Sequence, residues 1–341
     1  KQEGKVEAAM DTLYRAVWNY NYNSAGNFQL AQLYVAQGDI PMALERLDEA
    51  IARNADNFSA LNLKATILRT RGDKAGASAC VKRVSETDPV NAYAAYEQLL
   101  LGESDYFETL MRDEPESYLE LALAYLHNGF PETAVELLER IDARTAYPTV
   151  KMWLGYLAGK AGDKAAEKKY FTAALAIPTD RCNPFRLETA AVLERTKELC
   201  PESYKPCYYL GNLYYNKQPD RAMAEWEQCI AKEPSFAMAW RNLGWAHWLH
   251  TKNYGEAVKY YRKAIDLAPE EALFLEEIDQ VYEAKGEDVQ VRYDLLKSRH
   301  AVCTKRYSPL AGEVTAGIFV GDYDYVLKLL KECYFPTREG V

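Results

Sequence analysis

Two histidines three residues apart are the first residues that could carry chemistry. His247 and His250 would lie one turn apart on a helix, where two imidazoles could share a metal ion such as Zn²⁺. A protein zinc site uses three or four ligands, and no Asp, Glu or Cys stands at helical spacing to complete the set. The spacing therefore favours core or surface histidines, with His247 packed in the core. A metal site is the alternative.

Adjacent carboxylates are the second candidate, because paired acids can serve general acid–base catalysis. Glu270-Glu271 and Glu276-Glu277 are expected to lie at a helix start or on an exposed helix face, where acids interact favourably with the helix dipole. The chain holds no phosphate-binding loop, dinucleotide-binding glycine motif or nucleophile elbow. We predict no catalytic residue, no bound metal and no cofactor, and therefore not an enzyme.

The overall charge and hydropathy exclude two further classes. The chain has 341 residues and a net charge of −9, which argues against a nucleic-acid partner. No apolar run approaches the ~18–20 residues of a membrane span, so no membrane insertion is predicted. Lys1 opens directly into a helical pattern, as expected if the native N-terminus is missing. The compartment, cytoplasm or periplasm, therefore stays open.

The elements that carry these residues follow a repeated pattern. Within residues 240–269 the spacing predicts two helices, the first with a face built from Trp240, Leu243, Gly244 and His247. The second places Ala257, Tyr261 and Ala264 on one face and ends at Pro269, which lacks an N–H. Gly244 and Ala257 are small because two antiparallel helices must approach closely there.

Similar patterns recur along the chain. Residues 207–234 repeat the scheme directly upstream, and residues 30–51 are echoed 34 residues later by residues 64–89. A glycine followed by a polar residue recurs between the helices, at Gly38, Gly72, Gly162, Gly286 and Gly321. Glycine supplies the left-handed conformation that ends one helix, and the following acid begins the next.

This pattern resembles the tetratricopeptide repeat, W-x2-L-G-x2-Y…A-x3-F…P over about 34 residues. The resemblance implies an all-α fold, an α-α superhelix of about eight helix pairs in a single solenoid over residues 1–341. We predict the following segments: a partial repeat (1–23), two repeats (24–91), irregular helices (92–114), two repeats (115–180), an extra helix (181–203), two repeats (204–271) and two degenerate repeats (272–341). Asn183 and Pro184 are predicted to begin the extra helix as its N-cap and first residue.

Several specific runs resemble a narrower family, the C-terminal tetratricopeptide half of large bacterial proteins. They include Trp18-Asn19-Tyr20, Cys182-Asn183-Pro184-Phe185-Arg186, Tyr208-Tyr209-Leu210-Gly211-Asn212 and Phe335-Pro336. In that family the N-terminal half is β-rich, of unassigned function and similar to sugar-binding sandwiches. The resemblance implies a scaffold that binds a protein or peptide, or its own missing β-rich domain. The alternative is an accessory array of a carbohydrate-active enzyme whose catalytic domain is absent from this chain.

The tetratricopeptide resemblance also selects candidate binding residues. In such arrays the first helix of each pair lines a concave groove, and its positions 2, 5, 9, 12 and 13 point into it. The predicted partner-binding residues at these positions are Tyr208, Asn212, Tyr215, Arg241, Trp245, Trp248 and Tyr156. A carboxylate clamp for acidic C-termini needs a lysine where Tyr208 stands, so such a peptide is not expected as the ligand.

The two tryptophans of this groove define an open question. If the groove is empty, Trp245 and Trp248 are exposed and removing them changes stability little, whereas Trp240 fills the repeat core. In the alternative, the segment 185–199 folds over the groove and buries both rings.

Overall fold

The computed structural model describes residues 5–180 and 182–335. Throughout those two ranges the regular secondary structure is α-helical, in 21 helices without a β-strand. The all-α prediction is therefore confirmed. The chain divides into two compact units, Lys1–Ile177 and Pro178–Val341. Residues 1–4, 181 and 336–341, which belong to the predicted segments 1–23, 181–203 and 272–341, lie outside the described residues, and so does Pro336 of the Phe335-Pro336 run.

The first unit contains eleven of the described helices. In chain order these are α1 (Val6–Ala16), α2 (Tyr20–Gln37), α3 (Ile40–Arg53), α4 (Phe58–Thr70), α5 (Lys74–Thr87), α6 (Ala92–Leu101), α7 (Tyr106–Met111), α8 (Pro115–His127), α9 (Pro131–Asp142), α10 (Pro148–Lys160) and α11 (Lys164–Ala176). Consecutive helices form pairs, α2 with α3, α4 with α5, α8 with α9 and α10 with α11. The short helices α6 and α7 stand between the second and third of these pairs.

The second unit contains the other ten described helices. These are α12 (Thr189–Leu199), α13 (Lys205–Tyr214), α14 (Pro219–Lys232), α15 (Ala237–Leu249), α16 (Tyr254–Leu267), α17 (Ala272–Lys285), α18 (Val289–Ser298), α19 (His300–Cys303), α20 (Tyr307–Val320) and α21 (Tyr323–Glu332). The tightest pairs are α13 with α14 and α15 with α16, while α20 packs on α17, α18 and α21.

Small residues allow the close helix packing that the repeat predicted. A Cβ on Gly244 would lie 2.8 Å from the ring of Tyr261, which is fully buried, and Ala257 is fully buried as well. The five turn glycines named above all have positive φ, between 75° at Gly286 and 91° at Gly162. The predicted turns and the close approach at Gly244 are therefore confirmed.

The predicted start of the extra helix is wrong. Residues 182–188 are not helical, and α12 begins only at Thr189. Cys182 and Pro184 are buried while Asn183 and Phe185 are exposed, which is the alternation of an extended segment. Burial of these two side chains in the second unit outweighs the local preference of Asn-Pro for a helix start. No helix among the described residues is long and apolar enough to cross a membrane.

Candidate functional site

Five of the predicted binding residues meet in one cavity of the second unit. The cavity has a volume of about 270 Å³ and is called the aromatic pocket below. Its lining comprises Asn183, Tyr208, Asn212, Tyr215, Trp226, Met238, Arg241, Asn242 and Trp245. Helices α13 and α15 present most of these side chains together because both are first helices of their pairs, while Trp226 comes from α14 and Asn183 from the segment before α12.

The polar groups of the aromatic pocket bind one another. Asn212 Oδ1 accepts hydrogen bonds from Trp226 Nε1 at 3.2 Å and from Asn242 Nδ2 at 3.0 Å. Burial raises the pKa of Tyr208, although Asn212 and the charge of Arg241 oppose that shift. Burial also raises the pKa of Tyr215, so both phenols are neutral at physiological pH. The pocket therefore presents uncharged tyrosine rings beside asparagine side chains that are held by hydrogen bonds.

Arg241 does not offer a free positive charge. Its Nε donates to Glu277 Oε2 at 2.6 Å, and its Nη2 bonds the other carboxylate oxygen, although Glu277 is only 4% exposed. Burial by itself would lower the pKa of Arg241, but the hydrogen bond and charge of Glu277 raise it above its ordinary value. The guanidinium also lies 4.9 Å from the ring centroid of Trp245. Arg241 is therefore held between the Glu277 carboxylate and the Trp245 ring.

The two predicted groove tryptophans are half-buried, so the expectation of exposed rings is not met. Trp245 and Trp248 contact each other edge to face at 5.4 Å, and both pack on the buried cluster formed by α16 and α17. One face of α15 is therefore shared between the pocket and that cluster. Trp248 is not among the described residues that line the aromatic pocket.

Trp240 is also only half-buried, against the expectation that it fills the core. Its Nε1 donates to the Pro234 carbonyl at 2.9 Å, and its ring lies 5.8 Å from that of Tyr260. Tyr261, which occupies the space left by Gly244, is the fully buried aromatic residue at this position.

The extra helix does not cover the aromatic pocket. Helix α12 packs on α13 and α14 through ion pairs of Lys197 with Glu225 at 2.8 Å and of Glu194 with Arg221 at 3.0 Å. No residue of α12 is among the described residues that line the cavity, and Phe185 is 61% exposed. From the segment before α12, only Asn183 lines the cavity within the described part of the chain.

The seventh predicted residue, Tyr156, belongs to the first unit on α10. It is half-buried, with its ring edge to face with Trp153 at 5.9 Å and below Lys160 Nζ at 5.2 Å. It is not among the described residues that line the aromatic pocket.

The histidine pair makes local contacts. His247 stacks on Tyr260 with ring centroids 5.1 Å apart and bonds Thr251 Oγ1 at 3.2 Å, while His250 Nε2 lies 2.7 Å from Asp220 Oδ1. Within residues 5–180 and 182–335, no three His, Cys, Asp or Glu residues are grouped so that they could hold a metal. His247 is only half-buried, with its ring against Tyr260, so its predicted place in the core is wrong.

A larger cavity lies in the first unit, where the sequence had indicated no site. It has a volume of about 640 Å³ and is called the amide pocket below. Its lining comes from α2, α4, α6, α7 and α8 together with the residues just before α6, and includes Phe28, Gln32, Ser59, Asn62, Asn91, Tyr93, Met111, Glu120, His127 and Asn128.

Buried hydrogen bonds connect the helices around the amide pocket. Gln32 Nε2 donates to Asn128 Oδ1 at 2.7 Å, and Asn128 Nδ2 donates to Tyr93 OH at 3.2 Å. Tyr93 OH bonds Thr66 Oγ1 at 2.9 Å, which in turn donates to Glu97 Oε1 at 2.8 Å. The pocket walls are thus held in place by polar side chains.

A sequence signal for the amide pocket existed. The repeat positions that gave Tyr208, Asn212 and Arg241 correspond to Phe28, Gln32 and Asn62 in the first two repeats, and all three line the cavity. The contribution of Met111 could not have been found in this way, because α6 and α7 do not follow the repeat.

Comparison with known proteins agrees with the helix pairing. Residues 28–91 and 212–272 match the tetratricopeptide repeat family. The chain carries tetratricopeptide repeats. The matched regions fall in both units, and the fold class is the all-α tetratricopeptide array that the repeat predicted. Arrays of this kind generally serve as protein-binding scaffolds.

Solved tetratricopeptide structures are also similar to this chain. MamA, residues 41 to the end, from Desulfovibrio magneticus RS-1 is 18% identical over 64% of this chain and 95% of that chain, with a TM-score of 0.30. YrrB, described as a TPR protein with an unusual peptide-binding site, is 18% identical over 68% of this chain and 97% of that chain, with a TM-score of 0.26. At such TM-scores the superpositions carry no argument about the sites of this chain.

Proposed function

We propose that this protein is a non-catalytic scaffold that binds a protein or peptide through the first helices of its tetratricopeptide repeats. The aromatic pocket is the proposed contact site in the second unit. The observation that supports the proposal is the convergence of Tyr208, Tyr215 and Trp245 on one open cavity. Binding hot spots are enriched in Tyr, Trp and Arg.

The contacts of the pocket indicate what kind of group it binds. The Arg241 charge is neutralised by Glu277, and the Asn212 oxygen already accepts two hydrogen bonds. An anionic peptide end would therefore meet no free cation among the described lining residues. The pocket suits an uncharged, apolar or aromatic side chain of a partner, such as a loop of another protein or of the chain's own β-rich domain.

A bulky substitution at the rim of the pocket, which fills the cavity, tests the proposal. Asn183 is exposed and lines the cavity, so Asn183→Trp fills it without disturbing the core. Gln228→Trp on the exposed side of α14 is the matched control. Peptides selected from a random displayed library on the unaltered protein should bind Asn183→Trp at least about tenfold more weakly, the scale of a lost hot spot.

The control should bind these peptides as the unaltered protein does. If both variants retain full affinity for every selected peptide that carries an aromatic or large apolar residue, the aromatic pocket is not the contact site. A far-ultraviolet circular dichroism spectrum of each variant checks that the helices are intact.

A further inference from the structure

Helix α21 is apolar on two neighbouring faces, of which the second unit buries only one. Val326 and Leu329 are buried in a small core cluster that α21 shares with α20. Tyr323, Leu327 and Leu330 lie about 100° further around the helix axis. Their side chains are 61%, 53% and 50% exposed, so α20 does not cover them. These three residues are called the α21 stripe below.

The α21 stripe has the spacing of a seam between two packed helices. Its members follow one another at intervals of four and three residues, which keeps them in one line along the helix. Apolar residues at these intervals are the ones that contact the partner helix in coiled-coil packing. Single exposed apolar residues are common on protein surfaces, whereas a continuous apolar line indicates an interaction surface.

Two opposite charges lie along one flank of the α21 stripe. Asp324 directly follows Tyr323, and Lys331 directly follows Leu330, so both occupy the same flank, and both are exposed. They are seven residues apart, about 10 Å along the axis, which is too far for them to pair with each other. Neither forms an ion pair with another residue in the ranges 5–180 and 182–335. The flank therefore presents one unpaired charge of each sign.

This arrangement is complementary to itself when two copies of α21 lie antiparallel. Leu327 of one copy then packs beside Leu330 of the other, on both sides of a two-fold axis. The charged flank faces the same flank of the second copy in the reverse direction, so Asp324 lies opposite Lys331 twice. In a parallel pair the charged flank would instead face the flank of Val326, which is buried and uncharged.

We infer that the α21 stripe is a self-association surface, on which the α21 stripe of a second copy of this chain packs antiparallel. A seam of three helical turns is small beside the roughly 1,600 Å² of a standard interface, so the dimer dissociates in the micromolar range. The inference uses neither pocket and does not rest on the proposed function, so each can fail without the other.

Sedimentation equilibrium of the full chain, from about 1 μM to about 500 μM, tests the inference. It should show a monomer–dimer equilibrium with a Kd on the order of 10–100 μM. Leu327→Glu introduces two carboxylates into the apolar seam of each dimer and should weaken association at least about tenfold. Leu187→Glu is the matched control, because it replaces an exposed leucine of the same unit outside α20 and α21, and it should change the Kd less than about twofold.

Two charge reversals test the antiparallel orientation. Asp324→Lys or Lys331→Asp alone gives the flank two like charges, so each variant should dimerise about fivefold more weakly at low ionic strength. An equimolar mixture of the two variants should associate as tightly as the unaltered protein, because both opposite pairs return in the mixed dimer. The double variant should also recover the original Kd.

A chain that stays monomeric at about 500 μM overturns the inference. A dimer that Leu327→Glu leaves intact also overturns it, because the contact then lies on another surface. The antiparallel pairing is contradicted if the mixture of charge variants associates no more tightly than either variant alone. Far-ultraviolet circular dichroism checks that each variant is folded. Leu327→Glu should bind the peptides selected for the aromatic pocket as the unaltered protein does, which separates this test from that of the proposed function.

Discussion

The two pockets differ in how their polar groups are used. In the aromatic pocket the Asn212 oxygen binds Trp226 and Asn242, and Arg241 binds Glu277. In the amide pocket the hydrogen bonds run behind the wall to Glu97, while the Asn62 acceptor is left without a partner. The polar groups of the aromatic pocket are therefore paired with one another, whereas the wall of the amide pocket contains a buried acceptor without a hydrogen-bond partner. The two cavities are lined by residues at the same repeat positions, but they differ in whether their polar groups have hydrogen-bond partners.

The largest expected difference in stability follows from replacing the buried glutamate near each pocket. Glu97 is fully buried and accepts hydrogen bonds from Arg69, Thr66 and Tyr125, so Glu97→Ala leaves an arginine and two hydroxyls without their acceptor. We expect the free energy of unfolding to fall by an amount at the upper end of the ~3–5 kcal/mol that is typical of a broken buried ion pair. Urea denaturation followed by circular dichroism measures the loss.

Glu277→Ala is the counterpart in the second unit and should cost less. Arg241 keeps its hydrogen bond to Asn242 Oδ1 at 3.1 Å and its contact with Trp245, so the loss should lie at the lower end of that range. Hydrogen exchange should show reduced amide protection in α4 and α6 for Glu97→Ala, and in α15 and α17 for Glu277→Ala. Equal losses would mean that the Thr66 and Tyr125 contacts add nothing.

Trp240→Ala, Trp245→Ala and Trp248→Ala should have similar effects. All three rings are half-buried, and all three pack on the cluster of α16 and α17. Each substitution should cost roughly 1–3 kcal/mol, below the ~3–5 kcal/mol of a fully buried tryptophan. Thermal melts decide between this expectation and an exposed pair beside a buried Trp240, for which only Trp240→Ala would melt early.

A smaller effect separates two buried asparagines. Asn242→Leu removes the donor to Asn212 and the acceptor for Arg241, and should cost ~1–3 kcal/mol. Asn62→Leu removes one bond to Asn91 but also an unpaired acceptor, so its cost should stay below about 1 kcal/mol. Chemical denaturation of both variants provides the comparison, and a larger loss for Asn62→Leu would contradict the unpaired state of its oxygen.

The smallest expected effects appear on acidification. Burial lowers the pKa of His247, so the second unit should begin to lose stability as pH falls below the ordinary histidine value of about 6.5. The hydrogen bond and charge of Arg144 lower the pKa of Glu108, so its contribution is full above about pH 4.5 and is lost below it. Both side chains are partly exposed, so solvent screening keeps the effects small. His247→Gln should abolish the loss of amide protection near pH 6 that hydrogen exchange detects in α15. Glu108→Gln should abolish the loss of protection that appears at lower pH near α7.

The sequence predicted the features that follow from helical periodicity. The helix pairs, the turn glycines and the approach of Gly244 to Tyr261 all depend on spacings within one repeat. The features it missed depend on contacts between segments that share no period. Asn183 and Pro184 form an extended segment because Pro184 and Cys182 are buried, and the amide pocket takes part of its lining from α6 and α7, which do not follow the repeat.

The binding residues show the same division. Repeat positions placed Tyr208, Asn212, Tyr215, Arg241 and Trp245 around one cavity, but they could not show that Arg241 is neutralised or that Trp248 turns to the core. Their part in binding stays a prediction until the Asn183→Trp variant is measured.

The hydrogen bond between Gln32 and Asn128 has a consequence for folding kinetics. These residues are 96 positions apart in the chain. A repeat array is ordinarily stabilised by contacts between neighbouring repeats, so its terminal repeats can unfold before the others. Through Tyr93 and Thr66 the bond joins α2, α4, α6 and α8 into one cooperative block. Closing so long a loop raises the contact order and slows folding, so the first unit should fold more slowly than an uninterrupted array of its length and lose α2 and α8 in a single step.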